Sequence, residues 1–407
     1  MKSRFKQYLK MLNPDPAIGG LEVSDGAVRF VLLNEDASVA EHAVVSLPAG
    51  TVITGRIADE TAFRAACLGL RRNMSGFRAI PIILSLPPAP VYAQVFAVPT
   101  ARQEQLEEAA RLNLRMLSPT DFDQAYADWQ KISTAVNADG SIDALGAFVD
   151  RGVSDTYYVA LLASGFLPVA IEFASLSLVR ALTASIETEN ISNPYLVVNL
   201  TGDGMTLLLM RDGTPYFTEF TGWGLFTKAA SDGQVTLAQF QAVLGAAIKR
   251  FLNFYRARFH GIIAKALVIN ATSNKEAAEW IKNEFSLETY SLGGYADLGK
   301  EWCVASGAAL RGLVPRSEDS FISLARVGTE DEFERSHVRR FISLWRAVTL
   351  SVLAVTVVIY IILDMMMIHR ENILAGNLQG ESALGNSEVA ALAAQAVNFN
   401  ALTEKAW

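Results

Sequence analysis

The chain has 407 residues, 51% of them hydrophobic and 19% charged, with a formal net charge of −7. That length exceeds one ordinary core and predicts two lobes or domains plus a tail. The composition is globular rather than disordered, and the acidic balance argues against a basic body that binds nucleic acid.

The first residues, MKSRFKQYLKMLNPDP, carry Lys2, Arg4, Lys6 and Lys10 interleaved with Phe5, Tyr8 and Leu9. Without an apolar core or a small-residue cleavage site, they do not form a secretory signal. They read either as an interfacial helix on anionic lipid or as a solvated basic tail over residues 1–15. GGLEVSDGAVRFVLL then predicts strand, tight Ser-Asp-Gly turn, strand. ADETAFRAACLGLRR has helical spacing with Asp59 as its cap. IPIILSL and VYAQVFAVP read as apolar strands, and ARQEQLEEAARLNLRML as an amphipathic helix stopped by Ser118-Pro119. DQAYADWQKIS and IDALGAFVD alternate as paired strands around NADGS. A helix near 154–164, a short strand at 168–171 and a helix near 174–185 close the first half.

The second half opens as the first does. YLVVNLTGDGMTLLLMRDGTPYFTEF gives three strands with TGDG and RDGT as turns, including the hairpin dipeptide Asp212-Gly213. TLAQFQAVLGAAIKRFLNFYRARF is a long helix, KALVIN a buried strand, and SNKEAAEWIKNEF and EWCVASGAALRGLV are helices. The shared opening of strand, glycine-containing turn and strand marks an internal duplication, and hence two lobes. Cys67 and Cys303 sit in apolar helical surroundings and read as buried packing. Two cysteines and four scattered histidines supply neither a disulfide framework nor zinc-ligand spacing. No catalytic Ser/His/Asp or Cys/His arrangement is legible either.

Residues 347–363 contain no charge, and the apolar run continues to Ile368. About 22 residues at about 1.5 Å each reach roughly 33 Å, enough for a hydrocarbon core. Asp364 lies towards its far end, where a carboxylate can reach headgroups. Arg335, Arg339, Arg340 and Arg346 precede the rod, whereas Arg370 alone, with His369, lies just after it. By the positive-inside rule, the large N-terminal body is expected in the cytoplasm and the segment after the single span on the other side. Beyond it, Val389, Leu392, Ala396 and Phe399 recur at coiled-coil spacing for about two heptads, so dimerisation is expected there and through the span.

The ordered set Gly20-Leu21-Glu22-Val23-Ser24-Asp25-Gly26-Ala27-Val28-Arg29, VITGRIAD, PIILSLP, FAVP, GFLPVAIEFASLSLVRAL, IKRFLNFY and ASGAALRGL resembles the type IV pilus assembly protein PilM, a family similar to FtsA and actin. The likeness covers roughly residues 16 to 315. SFISLARVGTEDEF, followed by a basic helix and one span, is similar to the start of the partner PilN. Ile322-Ser323-Leu324-Ala325 stands where that family has an Asn- and Pro-containing peptide. The arrangement looks like a natural PilM–PilN fusion, and in layout also resembles GspL of type II secretion. PilN-like proteins continue into a periplasmic domain, which is absent here or lies beyond Trp407.

The resemblance implies a two-lobed actin-like α/β fold over residues 16–316 with an inserted α+β subdomain at about 92–176. A PilN-like peptide and basic linker follow at 317–340, a transmembrane helix at 341–368 and a periplasmic helical segment at 369–407. It further implies an ATP site with Mg²⁺ between two hairpins, whose backbone N–H groups approach the phosphates. The matching positions are Glu22, Ser24, Asp25, Gly26 and Arg29 in the first hairpin and Asn199, Thr201 and Gly202 in the second. Ala271 and Thr272 stand at the adenosine side. Glu22 replaces the family's Asp, Ser24 its Gly, Arg29 its Lys, Asn199 a second Asp, and Ala271-Thr272 a glycine pair. Asn has no charge to offer Mg²⁺, and a Cβ at Ser24 opposes a glycine-only conformation. The site therefore reads as degenerate and the chain as no enzyme. Phe321, Ile322 and Leu324 are expected to dock into a groove of the body, within the chain or exchanged with a neighbour. The function implied is a single-span inner-membrane scaffold of a type IV pilus or related secretion machine, with assembly proteins as partners on both sides. The alternatives are an ATP-binding actin-like switch and a GspL-like secretion component.

Overall fold

The computed structural model describes residues 16–74, 79–99, 103–119, 121–132, 137, 140–185, 194–211, 213–224, 236–259, 261–270, 274–291, 294–326 and 328–404. The basic tail 1–15, Asp212 and the Ala271-Thr272 pair lie outside the described residues. The chain divides into two compact units, Met1–Arg335 and Ser336–Trp407.

In the first unit, β1 (Gly19–Val23), β2 (Ala27–Leu33) and β3 (Val39–Ser46) form an antiparallel meander. A two-strand hairpin, β4 (Val52–Ile53) and β5 (Arg56–Ile57), leads to α1 (Glu60–Arg72). Asp59 caps α1, its Oδ1 accepting the Ala62 N–H at 2.9 Å. β6 (Ile80–Leu86) runs parallel to β1. Its unbroken apolar run suits an interior strand covered on both faces.

β7 (Val91–Pro99), α2 (Gln103–Leu117), β8 (Ala125–Lys131) and β9 (Ser141–Asp150) then build a separate three-stranded antiparallel sheet in the order β7-β9-β8. Ala110 and Leu114 of α2 cover it, packing with Phe96, Ile142 and Phe148. The chain returns through α3 (Arg151–Ala163) to β10 (Phe166–Phe173) and α4 (Ala174–Ser185). β10 pairs parallel with β6, giving a five-stranded sheet, β3-β2-β1-β6-β10. The small sheet thus ends at Asp150, and the last part of the span expected as an insertion is hydrogen-bonded into the main sheet instead.

The second lobe repeats the plan. β11 (Tyr195–Leu200), β12 (Gly204–Arg211) and β13 (Thr214–Gly222) are an antiparallel meander. After α5 (Leu237–Phe259), β14 (Lys265–Asn270) joins β11 in parallel. After α6 (Asn274–Phe285), β15 (Glu288–Ser291) joins β14. The order β13-β12-β11-β14-β15 mirrors the first sheet strand for strand. Besides the two-residue strands β4 and β5, two longer strands are not signalled by the sequence: β3, whose half-exposed alternation carries Glu41 and His42, and β15, only four residues long. Both are sheet-edge strands with no continuous apolar run to mark them.

α7 (Cys303–Gly312) packs against both the first sheet and α4, and small residues permit it. A methyl group at Gly20 would collide with the backbone of Ala305 and Ala309, and one at Gly307 with the Ser177 carbonyl. In a backbone-to-backbone crossing no rotamer change relieves such a clash. The last element, α8 (Thr329–Glu404), is one unbroken helix containing a stretch, Phe341–Leu378, long and apolar enough to cross a membrane. No side chain in its most apolar window is buried.

Candidate functional site

The turns β1–β2 and β11–β12 face one another across a cavity of about 350 Å³. They are built alike. In the first, Ser24 N–H donates to the Ala27 carbonyl at 2.9 Å, and the Ser24 hydroxyl reaches the same oxygen at 3.0 Å. In the second, Thr201 N–H donates to the Gly204 carbonyl at 2.9 Å, and its hydroxyl lies 3.2 Å from that oxygen. Ser24 does not adopt the left-handed backbone that its Cβ opposes. Among the described residues, the non-glycine ones with left-handed backbone are Ala37, Thr54, Ser286 and Ala296. Ser24 therefore closes its turn through its side chain and is not strained by it.

The equivalent strand positions hold Glu22 and Asn199. Glu22 is the cross-strand neighbour of Arg29, which it meets at 3.6 Å, and Asn199 that of Thr206. The Glu22 side chain is 12% exposed. Its second oxygen, Oε2, is buried and has no hydrogen-bond partner among the described residues. Burial pushes its carboxyl up to about 7, against the pull of Arg29, with Asp203 and Glu301 adding to the rise. Lys300 and Glu301 also line the cavity.

Asp203 is the residue that sequence reasoning missed in this cleft. Its carboxylate accepts the Asp25 N–H at 3.0 Å, across 178 residues of sequence. Asp25 in turn accepts the N–H groups of Thr54 and Gly55 at 2.9 Å each. One chain of hydrogen bonds thus runs from the second lobe through the first hairpin to the β4–β5 turn. The only sequence signal was the Asp-Gly of TGDG, an ordinary turn dipeptide. Burial raises the Asp203 carboxyl, opposed first by the Asp25 N–H.

Of the positions expected to contact a nucleotide, Glu22, Ser24, Gly26, Arg29, Asn199, Thr201 and Gly202 all line the cavity. Asp25 faces Asp203 beside it. The lining of the cavity mixes acidic side chains with two cations. An anion entering the cavity meets Glu22, Asp203 and Glu301 but also Arg29 and Lys300, and the Asp25 turn amide is engaged by the Asp203 carboxylate. Among the described residues, no group of three or more His, Cys, Asp or Glu side chains is placed to hold a metal ion.

A second constellation surrounds residues 319–326. Ile322 and Leu324 are both 0% exposed and belong to the main core, whereas Phe321 is 36% exposed. The segment's backbone is received group by group. Ile322 N–H donates to Gln130 Oε1 at 3.1 Å and Ser323 N–H to Asp128 Oδ2 at 2.7 Å, both on β8. Leu324 N–H donates to the Ile171 carbonyl of β10 at 2.6 Å, and the Leu324 carbonyl accepts Ser154 Oγ of α3 at 2.7 Å. Burial raises the Asp128 carboxyl, opposed first by that Ser323 N–H.

Arg311, 1% exposed at the end of α7, organises this groove. It donates to Glu172 at 2.7 Å, Asp319 at 2.9 Å, the Ile322 carbonyl at 2.7 Å and the Phe321 carbonyl at 2.9 Å. Arg180 grips the other side of Glu172 at 2.7 and 3.0 Å, and both guanidiniums lie over the Phe321 ring. Asp319 is shared with Arg316. Burial alone would raise the Glu172 carboxyl, but Arg180 and Arg311 with their hydrogen bonds outweigh it and hold it at about 2. Sequence reasoning singled out neither Glu172 nor the two arginines. Their signal was three lone charges inside otherwise apolar elements, which must find one another when buried.

No protein-family model matches the sequence, and no curated protein does. Among solved structures, a chain of a PilM-PilN type IV pilus biogenesis complex matches with a TM-score of 0.63 at 18% identity, over 74% of this chain and 100% of that one. The cytoplasmic domain of EpsL, an inner membrane component of the Vibrio cholerae type II secretion system, matches with a TM-score of 0.41 at 13% identity, over 75% and 97%. The ethanolamine utilization protein EutJ from Carboxydothermus hydrogenoformans matches with a TM-score of 0.39 at 11% identity, over 76% and 98%. The fold is the two-lobed actin-like one anticipated from the sequence.

Proposed function

We propose that this protein is a non-catalytic, single-span membrane scaffold of a type IV pilus or related secretion machine. Residues 16–316 form its actin-like body, 317–340 its PilN-like peptide and basic linker, 341–368 its span and 369–407 a helical segment on the far side. The excess of arginines before the span leaves the body in the cytoplasm. The observation that carries the reading is the seating of residues 319–326. The stretch leading to the span is bound by the body through backbone hydrogen bonds, two buried apolar side chains and Arg311. The matched fold comes from a protein described as a PilM-PilN pilus biogenesis complex, which supports reading that stretch as a partner peptide carried in the same chain. The cleft supports the non-catalytic part, because the Asp203 carboxylate already holds the Asp25 turn amide. Dimerisation through α8 completes the proposal.

Affinity purification of the full chain from native membranes in mild detergent tests it. Pilus or secretion assembly proteins are expected to copurify, and titration of the same preparation with Mg·ATP is expected to show no binding at micromolar concentration. A micromolar dissociation constant, or phosphate release, would replace the scaffold with an ATP-dependent switch. Copurification of no assembly component would remove the assignment to such a machine.

A further inference from the structure

The turn of a β-hairpin that presents a free backbone N–H is an anion receptor. The first hairpin has such a turn at the cleft mouth, and its Asp25 N–H is already bound to an anion, the Asp203 carboxylate at 3.0 Å. This anion belongs to the opposite hairpin, so the bond also ties the two lobes together. Asp25 passes the tie on through its own carboxylate to Thr54 and Gly55. Asp203 lines a cavity of about 350 Å³ between the two turns. In its wall, Glu22 Oε2 has no hydrogen-bond partner among the described residues.

We propose that Asp203 is an intramolecular latch: its carboxylate occupies the Asp25 amide in place of a soluble phosphate, holds the hairpins together and excludes phosphate-bearing ligands from the cleft. The proposal rests on the non-catalytic reading of the cleft and names the residue responsible for it. Position 203 suits the role because it sits one residue before Gly204, whose own carbonyl is bound by Thr201 N–H. The turn is thereby closed without the aspartate side chain, which is left to reach across. Trp223 braces the same turn, its N–H on the Asp203 carbonyl at 3.2 Å and its ring N–H on the Thr201 carbonyl at 2.8 Å.

Two variants of the full chain in detergent, Asp203→Ala and Asp203→Asn, test this, with Mg·ADP as the probe. Asn keeps an oxygen for the Asp25 N–H but gives up the charge. Hydrogen exchange over residues 22–28 should quicken at least tenfold in Asp203→Ala and less in Asp203→Asn, and Asp203→Ala should bind Mg·ADP at least tenfold more tightly than wild type. Wild-type exchange rates in both variants would overturn the latch, whatever the nucleotide result. Faster exchange without any gain in Mg·ADP affinity would overturn the exclusion of phosphate. Tight Mg·ADP binding by the wild-type protein is a different result, and it would defeat the non-catalytic reading itself.

Discussion

Replacing Arg311 with Met removes the charge at the centre of the groove while keeping an unbranched apolar stem in a site that is 1% exposed. Three things are lost together: a partner of Glu172, a partner of Asp319, and the donors to two carbonyls of the seated segment. Removing one member of a buried ion pair costs about 3–5 kcal/mol. Glu172 keeps Arg180 and the Ser177 hydroxyl, and Asp319 keeps Arg316, which argues for the low end of that range. The carbonyls of Phe321 and Ile322 then add about 1 kcal/mol each.

The titration of Glu172 reports on Arg180 and Arg311 together, against burial, and not on Arg311 alone. A carboxyl held at about 2 rather than 4.5 is depressed by about 2.5 units, worth roughly 3 kcal/mol. The sign follows from the depression: this stability is present above about pH 4.5 and is lost as pH falls towards 2. Chemical denaturation of the full chain in detergent at pH 7 should show Arg311→Met destabilised by about 3–5 kcal/mol. A double-mutant cycle with Glu172→Gln should show coupling of about 1–3 kcal/mol. Hydrogen exchange over residues 319–326 should quicken in the single variant. A loss under about 1 kcal/mol with unchanged exchange in that segment would refute the assignment of Arg311 as the organising contact.

Two further outcomes follow from the same geometry. Leu324→Ala, at a side chain with 0% exposure, should cost about 2–5 kcal/mol and quicken exchange over residues 319–326, and protection equal to wild type would refute the seating. Glu22 titrates in the opposite sense to Glu172. Its folded carboxyl keeps its proton to about 7 while the unfolded one ionises near 4.5, so it withdraws up to roughly 3 kcal/mol of stability as pH rises through that window. Glu22→Gln should therefore match wild type near pH 4 and exceed it at pH 8 in denaturant midpoint, and an equal midpoint at both would contradict the raised carboxyl.

The sequence announced those parts of the fold that have strong periodicity or a turn. The paired hairpins, the Asp59 cap, the interior strands IPIILSL and KALVIN and the long apolar rod were all legible, because each is encoded within about ten to twenty neighbouring residues. The edge strands β3 and β15 were not, since an edge strand needs neither a continuous apolar run nor length. The site divides along the same line. Ile322 and Leu324 stood out as apolar residues in a polar stretch, and the structure buries both. Arg311 and Glu172 meet across 139 residues and Asp203 meets Asp25 across 178, separations over which no local pattern operates. Ser24 avoids the glycine-only conformation that its Cβ opposes, and its hydroxyl closes the turn on the Ala27 carbonyl instead.

A single short helix ties these two regions together. Cys303 and Val304 at the start of α7 line the cleft, and Arg311 near its end holds the segment that leads to the span. Eight residues of helix rise about 12 Å, so cleft wall and groove clamp are two ends of one rigid rod. The segment that Arg311 holds begins only seven residues beyond Gly312, the last residue of α7. A ligand tethered by so short a chain meets its groove at millimolar effective concentration or above. Contacts that would be weak between separate molecules then suffice to keep the groove filled. Carrying the segment in the same chain as the body thus keeps it against Arg311, which joins it to Glu172.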